Sequence, residues 1–203
     1  MSSSRSEQGT GRGNAGPPDA APSRSESFLA ADAANSERIL RDAFGAFATG
    51  VAVVLGIDQR GEPIGLTISS FNSVSLSPPL ILFSLGRRIL SIAAWQQTPG
   101  YSVNVLGAAQ VSIANRFGRA SPAKWDGIDV ARGRFNVPVL SEALASFECV
   151  PHARYDGGDH EIFLGRVVDF RLPKDMPPLV FFRGQHRTLS MAVPAEASSI
   201  QIW

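Results

Sequence analysis

The chain has 203 residues, of which 44% are hydrophobic and 18% are charged. A chain of this length is typical of one domain, and its apolar content can form a sizeable core, which excludes a wholly disordered protein. The formal net charge of +1 is not the strongly basic footprint of a nucleic-acid-binding protein. The single Cys149 excludes an internal disulfide framework and a cysteine-cluster zinc site, and it fits a reducing cytoplasm.

The N-terminal part of the chain differs in composition from the rest. Residues 1–35 are rich in Ser, Gly, Pro and Ala, so they bury too little apolar surface to offset the entropy of ordering. We therefore expect a disordered tail over residues 1–35 and one folded domain over residues 36–203. No apolar run has the length of a membrane span or of a signal-peptide core.

The folded domain is predicted to begin with a helix near Ser36. Leu40, Phe44 and Phe47 recur at helical spacing, and Gly50 is a typical residue for the end of a helix. We expect this apolar stripe to pack into the core.

The remainder of the chain is predicted to be mainly β. Turn residues at Asp58–Gly61 and Asp156–Asp159 indicate hairpins, and short helices are expected around residues 89–96 and 110–117. Many short strands with hairpin connections favour an antiparallel barrel with peripheral helices. The predicted strands are Val51–Leu55, Pro63–Asn72, Leu80–Ser84, Tyr101–Leu106, Phe147–Arg154, Ile162–Phe170 and Leu179–Phe182.

The usual catalytic motifs are missing from the sequence. It has no G-x-S-x-G, no P-loop, no H-E-x-x-H, and no G-x-G-x-x-G after a strand. Cys149 and His152 form a C-x-x-H pair, but two ligands do not make a metal site. We therefore expect no metal.

Two polar segments are candidates for a binding site. Thr67–Ser75 carries many hydroxyl groups, which face either solvent or a polar planar ligand. Ser84–Ser91 places Arg87 and Arg88 after a strand and a glycine, which is the pattern of either a phosphate cradle or a solvated turn. The residues alone leave both alternatives open in each case.

Longer stretches of the sequence resemble the flavin reductase family with the FMN-binding split barrel, over roughly residues 37–190. Members of this family are the small reductase components of two-component flavin-dependent monooxygenases. The motifs that carry the resemblance are Phe47–Val51, Gly65–Leu80, Ser102–Leu106 with Gln110, Arg116–Phe117, Gly158–Arg166 and Pro178–Gly184.

The resemblance implies a homodimer of antiparallel split β-barrels with FMN or FAD near the subunit interface. It implies an NAD(P)H:flavin oxidoreductase that transfers hydride from NADH or NADPH to the flavin and supplies reduced flavin to a separate monooxygenase in the cytoplasm. The alternative is a protein that binds its flavin tightly for electron transfer or sensing, without turnover of free flavin. The sequence does not choose between FMN and FAD, or between NADH and NADPH.

The resemblance also assigns residues to the cofactors. Those assigned to the flavin ring are Pro63, Ile64, Gly65, Leu66, Thr67, Ser69 and Ser70. Those assigned to its phosphate are Ser84, Arg87, Arg88 and Ser91, and Arg116 with Phe117 would close the site. Those on the nicotinamide side are His160, Phe181, Phe182, Arg183 and Gly184.

His160 is the predicted catalytic residue, which would orient the nicotinamide or relay a proton. The alternative for His160 is a hairpin histidine bonded to Asp159. The chain departs from the family pattern at His186, where relatives often carry an aromatic residue.

Overall fold

A computed structural model describes residues 33–171 and 175–189. Most of the predicted tail and the C-terminal end of the predicted domain therefore lie outside the described residues. The described chain divides into two units, the first ending at Arg41 and the second beginning at Asp42. None of the described helices is long and apolar enough to cross a membrane.

The strands and helices are as follows. The strands are β1 (Thr49–Gly50), β2 (Ala52–Ile57), β3 (Pro63–Ile68), β4 (Asn72–Leu76), β5 (Pro79–Gly86), β6 (Tyr101–Val105), β7 (Val130–Arg132), β8 (Pro138–Leu140), β9 (Ala145–Gly157), β10 (His160–Arg171), β11 (Leu179–Phe182) and β12 (Gln185–Thr188). The α-helices are α1 (Ala33–Phe44), α2 (Ile92–Trp95) and α3 (Val111–Phe117), with short 3-10 turns at Ala108–Gln110, Pro122–Trp125 and Arg134–Asn136.

Every strand pairing within residues 33–171 and 175–189 is antiparallel, which confirms the mainly β, antiparallel prediction. The largest sheet has the order β3-β2-β6-β9-β10-β5-β4, so β3 and β4 are its two edges. A smaller sheet joins β1, β11 and β12, and β7 pairs with β8. The sequence pattern missed β1, β4, β7, β8 and β12, because strands of two to five residues are too short to show a clear period.

The core lies on both faces of β2. Ala52 and Val54 pack in one apolar cluster with Phe83, Tyr101 and Phe163. Val51, Val53 and Leu55 pack in a second cluster with residues that include Leu106, Phe117 and Leu179. The strand predicted at Val51–Leu55 is present as β2, and its continuous apolar run fits the burial of both faces.

The predicted helix at the start of the domain is shorter than expected at its C-terminal end. Helix α1 ends at Phe44, and Thr49–Gly50 is already a strand. Phe44 and Phe47 are 70% and 77% exposed, so the prediction of a core-facing stripe is wrong for these two rings. Spacing shows that a segment has an apolar side, but it does not show what covers that side.

A buried amide joins four strands at the centre of the large sheet. Asn104 on β6 is fully buried, and its Nδ2 donates to the Val53 carbonyl at 3.1 Å and to Ser102 Oγ at 2.8 Å. Its Oδ1 accepts from the Leu140 N–H at 3.0 Å and from Ser146 Oγ at 3.1 Å. The side chain thus satisfies polar groups on β2, β6, β8 and β9.

Replacing Asn104 should therefore destabilise the fold. Asn104→Ala leaves several buried donors and acceptors without partners, and we expect the free energy of unfolding to fall by about 3 kcal/mol in urea titration. The control is Asn72→Ala on the exposed edge strand β4, which should change it by less than about 0.5 kcal/mol. Equal effects of the two substitutions would contradict the role assigned to Asn104.

Candidate functional site

A groove of about 350 Å³ lies against β3, α3 and β11. We call it the β3–α3 groove. Its lining residues are Val51, Thr67, Ile68, Ser69, Ala114, Asn115, Gly118, Arg119, Phe181 and His186. Its volume lies within the range of small-molecule sites, and its walls combine apolar and polar groups as such sites do.

Close contact between β3 and α3 builds this groove. A Cβ at Gly65 would lie 2.7 Å from side-chain atoms of both Leu55 and Phe117, so only glycine allows this approach. Two residues along the strand, Thr67 Oγ1 donates to the Ala114 carbonyl at 2.7 Å. The alternation of the strand places Thr67 on the same face as Gly65, and helix α3 is thereby fixed to β3.

The polar groups of the groove have free hydrogen-bonding capacity. Within the described part of the chain, the side chains of Ser69, Asn115 and Arg119 have no hydrogen-bond or ion-pair partner. Arg119 therefore presents an uncompensated positive charge. A guanidinium of this kind suits a phosphate or a carboxylate.

A second cavity of about 560 Å³ shares Asn115 and Arg119 with the groove. We call it the basic cavity. Its other lining residues are Arg116, Ser121, Ala123, Lys124 and Asp126. Lys124 Nζ donates to the Gly65 carbonyl at 2.9 Å, and partial burial lowers the pKa of this lysine.

Four predicted site residues line these two cavities, and a fifth contacts residues of their walls. Thr67, Ser69 and Phe181 line the groove, and Arg116 lines the basic cavity. Gly65 is buried and lines neither cavity, but it approaches Phe117 of α3, and its carbonyl accepts from Lys124 of the basic cavity.

The other predicted residues of β3, and Phe117, lie elsewhere. Phe117 is fully buried in the second core cluster, where its ring meets that of Trp125 edge-on at 5.0 Å. Ile64 and Leu66 pack against the first core cluster. Pro63 is exposed at the start of β3.

The hydroxyl group of Ser70 is hydrogen-bonded to the backbone of Ser84. Ser70 Oγ accepts from the Ser84 N–H at 3.0 Å and donates to the Ser84 carbonyl at 3.1 Å. This pair connects the end of β3 with β5, so the hydroxyl of Ser70 and the backbone of Ser84 are already engaged within the protein.

Arg87, one of the predicted phosphate ligands, is held by the β9–β10 hairpin. Its guanidinium lies 2.6 Å from Asp156 Oδ1 and 3.7 Å from Glu161 Oε2, and its Nε donates to the Gly158 carbonyl at 3.0 Å. The hydrogen bond from Arg87 holds the pKa of the Asp156 carboxyl below its ordinary value. Arg88 is exposed, and Ser91 makes no side-chain cap on α2.

His160 lies on the same hairpin, at the start of β10. Its Nδ1 is 2.7 Å from Asp159 Oδ1, and this hydrogen bond holds the pKa of the Asp159 carboxyl below its ordinary value. The contact is the one that the alternative for His160 predicts. His160 lines neither the groove nor the basic cavity, and its catalytic role stays a prediction.

The β11–β12 hairpin forms one wall of the groove. Phe181 and His186 are paired across the two strands, with ring centroids 5.8 Å apart, so the histidine supplies a planar ring at this position of the wall. Arg183 and Gly184 form the turn with φ angles of 48° and 74°. Such positive values suit a tight hairpin turn. The Arg183 guanidinium lies 5.3 Å from the centre of the Phe182 ring.

Sequence reasoning missed Asn115, Arg119 and Lys124. Asn115 and Arg119 are four residues apart, a spacing that places two side chains on one side of a helix and its extension, so this pair could have been found. No local pattern identifies Lys124 as a site residue. Only its contact with Gly65 in the folded protein does so.

Comparisons with known proteins agree with this architecture. The sequence model of the family described as flavin reductase like domain matches residues 44–190. A relative from Rhizobium meliloti (strain 1021), named as a probable flavin reductase, is 38% identical over 164 residues, which are 81% of this chain and 52% of that protein. The chain thus spans about half the length of this relative.

Two further proteins are matched over most of their length. HsaB of Rhodococcus jostii (strain RHA1), the reductase subunit of a flavin-dependent monooxygenase, is 38% identical over 78% of this chain and 80% of its own length. The structure of SgcE6, the NADH:FAD oxidoreductase of Streptomyces globisporus C-1027 in complex with NAD and FAD fragments, matches with a TM-score of 0.71. Its identity is 37%, over 78% of this chain and 95% of that one. The chain belongs to the flavin reductase like domain family.

The contacts of Arg87 lead to a prediction about the hairpin. Arg87→Ala removes the guanidinium from Asp156 and Glu161, so amide hydrogen exchange at residues 157–160 should accelerate several-fold. The control is Arg88→Ala, which breaks none of these hydrogen bonds and should leave the exchange unchanged. A large rise in the flavin Kd of Arg87→Ala with unchanged exchange would instead support the phosphate role that the sequence predicts.

Proposed function

We propose that this chain is a flavin reductase that oxidises NADH and supplies reduced flavin to a separate monooxygenase component. The observation that carries the proposal is the β3–α3 groove, which combines apolar walls with unpartnered Ser69, Asn115 and Arg119. Family membership and the names of the relatives support it, since one is the reductase subunit of a monooxygenase and another an NADH:FAD oxidoreductase.

The groove fits the chemistry of a flavin. The flavin ring is planar and amphipathic, and Val51, Ala114 and Phe181 offer it apolar contact. Ser69 and Asn115 have hydrogen-bonding groups to spare for the polar edge of the ring. Next to Phe181 across the β1–β11 pair, the buried hydroxyl of Thr49 also has no partner in the described part of the chain.

The residues of the chain bind and orient the reactants. The flavin, when bound, supplies the redox chemistry, accepting a hydride from NADH. Arg119 would hold its phosphate by charge, and the close β3–α3 contact fixes the groove around the ring. The family resemblance assigns Phe181 to the nicotinamide side, and together with its neighbour His186 it would keep water out and hold the donor ring in place.

The primary test is NADH oxidation with and without added flavin. Turnover should require added FMN or FAD, and Arg119→Gln should raise the flavin Kd about tenfold by removing a charge-assisted contact. The matched control is Arg132→Gln, which removes an exposed arginine outside both cavities and should leave the Kd unchanged. A protein that retains flavin tightly and does not oxidise NADH would be an electron-transfer or sensing protein, and the proposal would fail.

We further propose that the protein acts as a homodimer, with a second copy covering Phe44 and Phe47. These two rings are 70% and 77% exposed, and large exposed aromatic groups close together in the chain indicate an interaction surface. The segment between them is fixed to the groove wall, because the Arg183 N–H donates to the Gly45 carbonyl at 2.8 Å. A second copy at this surface would therefore lie next to the site.

The dimer is tested by light scattering after gel filtration. Wild-type protein should have the mass of a dimer, whereas Phe44→Glu with Phe47→Glu should give a folded monomer, because two carboxylates cannot be buried unpaired in the interface. Phe170→Glu, at another exposed phenylalanine, is the control and should remain dimeric. A wild-type monomer would refute the proposal.

We place the protein in the cytoplasm, where NADH is available. The free thiol of the buried Cys149 is compatible with that reducing compartment. Detection of the protein in a secreted fraction would contradict this assignment.

A further inference from the structure

The basic cavity extends the β3–α3 groove. Asn115 and Arg119 line both, so the two cavities adjoin at these two residues. The cavity has about 560 Å³, against about 350 Å³ for the groove. Its volume is therefore sufficient for a second substantial part of a ligand.

The charge of the cavity is strongly one-sided. Arg116, Arg119 and Lys124 line it, and Asp126 is its only carboxylate. The chain as a whole has a net charge of only +1, so three cations at one cavity do not reflect a generally basic surface. The local excess of positive charge favours an anion.

The three cations retain hydrogen-bond donors for a ligand. Arg119 has no partner in the described part of the chain. Arg116 donates one N–H to the Asp126 carbonyl, and Lys124 uses one of its three N–H groups on the Gly65 carbonyl. None of the three forms an ion pair with a carboxylate that the structure describes.

Lys124 is the most informative of the three. A solvated surface lysine would extend into water, whereas Lys124 is partly buried and its pKa is lowered by desolvation. A desolvated ammonium without a carboxylate partner is unfavourable. Among the described residues the neutral Gly65 carbonyl offsets this cost only in part, and a ligand anion in the cavity would compensate the remainder.

We propose that the basic cavity holds the diphosphate and adenylate half of a flavin dinucleotide, so that this chain binds FAD more tightly than FMN. The inference rests on the proposed flavin site in the groove. The single phosphate of FMN can be held at Arg119, at the boundary between the two cavities. The second phosphate of FAD would bind at Arg116 and Lys124. FMN has no second phosphate, so it would leave these two cations without an anion.

Equilibrium binding tests the inference independently of turnover. Isothermal titration calorimetry should give a Kd for FAD about tenfold lower than that for FMN, since two further cations contribute charge-assisted contacts. Arg116→Gln and Lys124→Gln should each weaken FAD binding about five- to tenfold and change FMN binding less than twofold. FAD affinity should also fall more steeply with salt than FMN affinity does.

Three further variants control the comparison. Lys124→Arg keeps the charge and should largely retain the FAD preference, while Arg132→Gln, outside both cavities, should retain it fully. Thermal unfolding of each variant identifies any that does not fold. Arg116→Gln, at an exposed residue, is the substitution that leaves the Gly65 contact intact.

The outcomes distinguish this inference from the proposed function. Equal affinity for FAD and FMN, or parallel losses for both in the variants, would overturn the dinucleotide assignment while leaving a flavin reductase in place. A change in the ratio of the KM values for NADPH and NADH, with flavin affinity unchanged, would assign the cavity to the 2′-phosphate of NADPH and also overturn it. Failure of both flavins to bind would refute the proposed function together with this inference.

Discussion

The site depends on the absence of a side chain at one position of β3. A Cβ at Gly65 would overlap Leu55 and Phe117, so glycine is what lets helix α3 lie directly on the strand. The carbonyl of the same residue accepts the hydrogen bond from Lys124 Nζ. The missing side chain of Gly65 therefore allows the strand–helix contact that forms the groove. Its carbonyl holds Lys124 in the wall of the basic cavity.

The large sheet provides the rigid base for this contact. Strand β2 is buried on both faces, and the two core clusters meet across it. The Asn104 amide then connects β2 to β6, β8 and β9 through a fully satisfied set of hydrogen bonds. A site built on such elements holds its side chains more firmly than a site carried by free loops.

Local patterns in the sequence predicted those strands and turns that depend mainly on interactions between residues close together in the chain. The apolar run Val51–Leu55 predicted a strand and the glycine-rich turn at Asp156–Asp159 predicted a hairpin, and both are present. The spacing of Leu40, Phe44 and Phe47 predicted a core-facing helical stripe, but the helix ends at Phe44, and the rings of Phe44 and Phe47 are exposed. Spacing carries no information about the surface that an apolar side meets.

Long-range contacts explain why the site could be predicted only in part. Thr67, Ser69 and Phe181 belong to motifs that mark the groove. The motif around Arg87 has the form of a phosphate cradle, yet the hairpin near residue 158 supplies the carboxylate that engages its guanidinium. Lys124 contacts Gly65, which is 59 positions away in the sequence. A local sequence pattern cannot predict a contact over that distance.

Hydrogen exchange of the protein with and without FAD tests the position of the flavin most directly. FAD should protect amides in residues 65–71, 111–126 and 181–186, which contribute most of the groove and the basic cavity, and should leave residues 154–162 unchanged. Protection confined to residues 84–91 and 156–162 would instead place the flavin at the Arg87 turn and contradict the account.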